Sequence, residues 1–173
     1  VIFLLGNLEG ALRAYRDFLR KVPKTRSKLF PCLTKDKRKS AKIEGDKVIL
    51  SDGEVLSKPP VRGRYESLEG LGIISKEEVY NLKTLKEEDI LENGILDNAK
   101  IIAREPSEYY FTFMIISSPF WTTYIYIEFP KALLYLYRDP SLLTCIAERA
   151  LKRNIELIKA LRSIGVDGVF IGK

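Results

Sequence analysis

Residues Tyr109–Lys173 read YYFTFMIISSPFWTTYIYIEFPKALLYLYRDPSLLTCIAERALKRNIELIKALRSIGVDGVFIGK, and the fold of the chain turns on how this stretch is parsed. Tyr110–Ile116 is a near-continuous apolar and aromatic run of strand length, which predicts a strand covered on both faces. Ser117-Ser118-Pro119 ends it. Helical spacing then follows through Trp121, Tyr124, Ile125, Ile127, Ala132, Leu133, Leu136 and Tyr137, with Pro130 expected to break or kink the segment. Asp139 predicts an N-cap with Pro140 at the first helical position. The next helix carries the core stripe Leu143, Ile146, Ala150, Leu157, Leu161 and Ile164, and Gly165 closes it. Asp167–Ile171 is a second strand. A strand, a helical crossover and a second strand form the unit of parallel α/β sheets and barrels, so the fold class is α/β.

Upstream, Val1–Leu5 has strand length and ends at Gly6-Asn7. Leu8, Leu12, Tyr15, Leu19 and Val22 predict a helix that Pro23 stops. Residues 24–42 read as a basic, solvated loop with eight Lys and Arg against the single acid Asp36. Such a run can contact phosphates or polycarboxylates, but no aromatic interleaves its KDKRK core, which argues against single-stranded nucleic acid. Residues 43–60 read as an inserted hairpin, with turns at Gly45-Asp46 and Asp52-Gly53 and a stop at Pro59-Pro60. The charged clusters around Lys76 and Lys86 suit short solvated helices, and Leu91–Ala103 is expected to run as one helix with Leu91, Ile95, Leu96, Ala99, Ile102 and Ala103 on a broad face.

The 173 residues, 46% apolar, suffice for one domain with a core, and no apolar run approaches the roughly 20 residues of a membrane span. Val1 is not a start methionine and no charged segment precedes the opening apolar run, so a cropped or processed cytoplasmic chain is expected. Cys32 and Cys145 give neither a disulfide framework nor metal-ligand spacing. There is no histidine, which excludes a Ser-His-Asp or Cys-His relay and histidine-ligated zinc within this chain.

The second half of the chain resembles the uroporphyrinogen decarboxylase superfamily, the haem-pathway decarboxylases and the related corrinoid- and methyl-cofactor methyltransferases. Lys83-Thr84-Leu85-Lys86-Glu87-Glu88-Asp89 is similar to that group's K-x-x-E-D-L helix opening. Ser118-Pro119-Phe120 resembles its strand-ending G-P-F, and Phe129 followed by Leu136-Tyr137-Arg138-Asp139-Pro140 resembles its G-F-E … L-Y-x-D-P-E junction. Asn154–Gly172 is similar to IELIKALIEAGADGVFIGD. The resemblance spans residues 83–173 and rests on the order and ungapped spacing of these pieces.

It implies part of a (β/α)8 TIM-type barrel with an inserted hairpin, the whole of residues 1–173 forming one incomplete barrel domain. It implies cofactor-free decarboxylation of an acidic tetrapyrrole, with no metal, in a homodimer that has neither a membrane nor a nucleic-acid partner. The alternatives are a corrinoid-dependent methyltransferase-like protein and a non-catalytic barrel segment serving as an interaction module. Chemistry in a barrel sits at the C-terminal ends of the strands. The substrate-binding candidates for an anionic tetrapyrrole or corrinoid-type ligand are therefore Ser117, Ser118, Tyr124, Tyr126, Arg62, Arg64 and Lys173, and no catalytic residue is assigned. The chain departs from the pattern at Ile125, where the group keeps a pocket tyrosine, at Glu128, where it keeps glycine, and at Lys173, where it keeps an acid. It also lacks the arginine-rich R-Q-A-G-R stretch.

Overall fold

The computed structural model describes residues 25–29, 32–44, 47–51, 55–57, 75–104 and 110–172, together with the isolated helical positions Arg13, Asp17 and Lys21. Those three positions apart, the predicted strand Val1–Leu5 and helix Leu8–Val22 lie outside the described residues, as do Arg62, Arg64 and Lys173.

The described residues form two separate sheets. The first is parallel, with β1 (Thr25–Leu29), β5 (Tyr110–Ser117) and β6 (Gly168–Gly172) in the order β1-β5-β6. Phe113 pairs with Gly168 and Ser117 with Gly172, while Thr25 pairs with Tyr110 and Leu29 with Met114. The second is an antiparallel meander of β2 (Lys42–Glu44), β3 (Lys47–Ile49) and β4 (Val55–Ser57), in the region where the sequence predicts a ribbon with two turns.

Seven helices are described: α1 (Lys35–Ser40), α2 (Lys76–Asn81), α3 (Glu87–Glu92), α4 (Asp97–Ala103), α5 (Pro119–Ile127), α6 (Phe129–Arg138) and α7 (Pro140–Ser163). The 24-residue α7 is the spine of the packing. Its N-terminal part sets Leu142, Leu143, Cys145 and Ile146 against Val79 of α2, Ile127 of α5 and Ala132 of α6. Its C-terminal part sets Ala160 and Leu161 against Ile90 of α3, Leu96, Ala99 and Ile102 around α4, and Met114 and Ile116 of β5. Each fully buried aliphatic side chain contributes about 1.5–3 kcal/mol relative to leaving it in water, so one helix ties both clusters together.

The ends of α7 follow from sequence. The Asp139 carboxylate accepts from the Leu142 N–H at 3.1 Å and Pro140 needs no N–H partner in the first turn. At the other end the Gly165 N–H donates to Arg162 O and the Val166 N–H to Leu161 O, both at 3.1 Å, with Gly165 at φ 87. This is the paired closure that requires a left-handed residue after the helix.

Three expectations are corrected. Residues 24–42 are not a solvated loop throughout. Thr25–Leu29 adds to the parallel sheet, and Lys35–Ser40 is a helix capped by Thr34 Oγ1 on the Lys37 N–H. Backbone bonds from Cys32 and Lys35 to Ile95 and Asn93, and an Arg38–Asp97 ion pair at 2.5 Å, dock the segment.

Leu91–Ala103 is not one helix, because Asn93-Gly94 interrupts it. The Asn93 side chain accepts from the Ile95 N–H at 2.9 Å and Gly94 takes φ 82. The apolar spacing survives this turn, so periodicity alone reads through it.

Finally, β5 is covered on one face only among the described residues. Met114 and Ile116 face the helices, whereas Phe111 stays 50% exposed and lines, with Phe113, Gly168, Val169 and Phe170, a cavity of about 330 Å³.

Candidate functional site

The C-terminal ends of β5 and β6 meet at Ser117, Ser118 and Gly172. Pairing of Ser117 with Gly172 is extended by the Ser118 N–H donating to Gly172 O at 2.9 Å. The sequence switches state here because Pro119 cannot donate to a sheet ladder yet is suited to a first helical turn. Ser118 Oγ then accepts from the Trp121 N–H at 3.1 Å and caps α5. Its carbonyl accepts from both the backbone and the hydroxyl of Thr122, each at 3.0 Å.

Ser117 and Ser118 stand at the end of β5, half-buried, with the Ser118 hydroxyl already engaged as an acceptor. A hydroxyl retains its own proton for donation while accepting, so this rim can still offer hydrogen bonds to an anionic group.

Tyr124 and Tyr126 do not join the serines as a polar pair. Both pack against the α2–α5–α6–α7 cluster. The Tyr124 ring lies 5.0 Å from Phe120, 5.5 Å from Trp121 and 4.9 Å from Phe129, edge to face in each case. Such geometry favours aromatic pairs by about 0.5–1.5 kcal/mol each beyond burial. The Tyr124 ring is therefore the centre of an aromatic cluster at the α5–α6 junction. The positions expected to anchor carboxylates, Arg62, Arg64 and Lys173, lie outside the described residues.

Two contributors to the strand ends escape a reading by residue class. Asn154, 3% exposed on α7, donates from Nδ2 to Ser117 O at 2.8 Å and fixes the end of β5 to the crossover helix, while its Oδ1 has no hydrogen-bond partner among the described residues. A signal was present. Asn154 falls on the same apolar stripe as Ala150, Leu157 and Leu161, and a polar residue on a buried stripe marks a specific tie.

At the opposite end of the strands, Asp167 Oδ2 accepts from the Thr112 N–H at 2.8 Å and the Thr112 hydroxyl at 2.7 Å. The apolar cavity beneath Phe111 and Phe170 lies toward this N-terminal end, not at the serine rim.

Among the described residues no group of three or more His, Cys, Asp or Glu side chains is placed to hold a metal ion, and no helix is long and apolar enough to cross a membrane. No family model, curated protein or solved structure matches the chain.

Proposed function

We propose that this chain carries part of a barrel of the uroporphyrinogen decarboxylase type and binds an acidic tetrapyrrole at the C-terminal ends of its parallel strands. The observation that carries this reading is the way the motif order lies along the fold. Pro119, Asp139-Pro140 and Gly165-Val166-Asp167-Gly168 fall in turn at the start of α5, the start of α7 and the turn into β6. Parallel strands with helices on one side and an apolar opposite side support a barrel segment, because barrel strands pack helices outside and fill the interior with side chains.

Within this reading Ser117 and Ser118 offer hydroxyls at the strand ends, and Trp121 and Tyr124 form an aromatic wall beside them. Arg62, Arg64 and Lys173 supply positive charge to acetate and propionate groups. Decarboxylation would proceed without a metal or organic cofactor, through electrostatic stabilisation of a protonated pyrrole. A second reading, a barrel segment that serves as an interaction module, is favoured by the engagement of the Ser118 hydroxyl in a cap and of the Tyr124 ring among three others.

Trp121 is the chain's single tryptophan and lies in the first turn of α5, where its backbone N–H bonds the Ser118 hydroxyl, so its fluorescence is the available probe of a ligand near the rim. Titration with uroporphyrin and coproporphyrin is expected to give saturable quenching. Absence of quenching by both would remove the tetrapyrrole reading and leave the interaction module.

A further inference from the structure

Helix α6 turns its apolar side outward. Ala132 is its one buried residue, and Tyr135 packs beside it against the cluster shared with α2, α5 and α7. At about 100° per residue, Leu136, Phe129, Leu133, Tyr137 and Leu134 follow one another around an arc of about 160° on the other side. The three leucines and Phe129 are about half exposed and Tyr137 is 94% exposed. The row continues onto α5, where half-exposed Phe120 meets Tyr124 at 5.0 Å and Tyr124 meets Phe129 at 4.9 Å. Single exposed leucines are ordinary, but a contiguous apolar row of this width marks a contact surface.

Charge says what fits there. Lys131 and Arg138 fall side by side on the edge of α6 between the apolar arc and the packed side, and α6 has no acidic residue of its own. The acids at its two ends are engaged. Glu128 holds Lys131 at 3.0 Å, and the Asp139 carboxylate accepts from the Leu142 N–H to cap α7. Arg138 is exposed and in no ion pair with a described residue. A second copy of the same face would therefore bring cations and no free acid to answer them. The arc is also wider than the narrow seam by which one helix packs on another.

We propose that α6, with Phe120, docks on an anionic lipid bilayer and lies in the plane of its headgroups. Phenylalanine and leucine enter the acyl boundary, Tyr137 keeps its hydroxyl at the interface, and the basic edge meets lipid phosphates. At ten residues the helix is about 15 Å long, half of what crossing the hydrocarbon layer takes, so it lies on the surface without spanning it. The docking face rests on neither reading of the strand ends.

The test is co-sedimentation of the whole chain with phosphatidylcholine vesicles, with and without phosphatidylserine, at low and raised salt. Wild type is expected to pellet with the phosphatidylserine vesicles, less with phosphatidylcholine alone, and less as salt rises. L133E and Y137E are each expected to weaken binding about tenfold or more, and R138E to weaken it on the anionic vesicles alone. L151E, at an exposed leucine of α7, is expected to bind as wild type. All four changes fall at exposed positions, and far-UV circular dichroism verifies that helix content is kept. A chain that stays in solution with both vesicles, L133E and Y137E binding as wild type, or L151E losing as much as they do would overturn the proposal. Self-association without vesicle binding would overturn it too, and would make the face a contact between copies.

Discussion

Asp167 and Thr112 lock the start of β6 to the start of β5. The carboxylate accepts from the threonine N–H and hydroxyl, and the Asp167 N–H returns a bond to the same hydroxyl at 3.2 Å. Thr112 is buried, so this ring of bonds replaces water that its polar atoms have lost. Thr112→Val and Asp167→Ala are each expected to lower unfolding stability by about 1–3 kcal/mol, the range for losing partners of a buried donor. Urea denaturation of both variants and of the double variant checks this. A double-variant loss equal to the sum of the two single losses would show the bonds to be independent of each other.

Asp139 caps α7 with bonds from the Ser141 hydroxyl and the Leu142 N–H, which hold its carboxyl below the ordinary range. A depressed carboxylate stabilises the fold above its unfolded pKa and loses that contribution as pH falls through the folded value. Asp139→Asn should therefore differ most from wild type at neutral pH, and the two thermal midpoints should converge below about pH 4.

The exposed pair Glu156–Lys159 should fail at both ends of the pH scale. Lys159 and the Glu87 N–H lower the Glu156 carboxyl, and Glu156 raises the Lys159 ammonium above its usual value. Its contribution is whole between the two unfolded values, is lost in acid as Glu156 protonates, and is lost in base as Lys159 deprotonates through its raised value. Lys159→Met should flatten the alkaline limb of the stability–pH curve measured by chemical denaturation.

Gly94→Ala should destabilise. A Cβ there would stand 2.5 Å from Arg38 Nη2 and 2.8 Å from Asp97 Oδ2, the two atoms of the ion pair that docks the basic segment. The left-handed φ of 82 adds strain of about 1–3 kcal/mol for a residue with a side chain. A denaturation midpoint equal to wild type would show that the segment docks without this pair.

Glu128→Gly should do the opposite. Glu128 sits between α5 and α6 at φ 78 and ψ 146, a conformation held almost solely by glycine. Relief of about 1–3 kcal/mol of strain outweighs the glycine entropy cost of about 0.5–1 kcal/mol. The 3.0 Å ion pair with Lys131 that would be lost is exposed and contributes roughly 0–1 kcal/mol. A higher midpoint for Glu128→Gly than for Glu128→Ala is the decisive comparison.

This last position shows how unevenly the sequence discloses the structure. Asp139-Pro140 and Gly165 delimit α7 because caps are local chemistry, and β5 is legible from its composition. Thr25-Arg26-Ser27-Lys28-Leu29 is not, since a mostly polar run becomes a strand only through pairing with β5. The end of β5 was legible from Ser118-Pro119. Asn154 was not, because its role depends on a carbonyl 37 residues away. The packing of Tyr124 and Tyr126 likewise depends on the helix they meet, not on their spacing.

The long crossover has a kinetic consequence. Phe113 cannot meet Gly168 until α5, α6 and α7 have brought together positions 55 residues apart, so β5–β6 pairing waits on closure of a large loop. Until then the Phe-Thr-Phe-Met-Ile-Ile run of β5 has an open edge on the side that takes β6. Refolding from denaturant should accordingly lose yield as chain concentration rises, through competition between β6 and neighbouring molecules for the same edge.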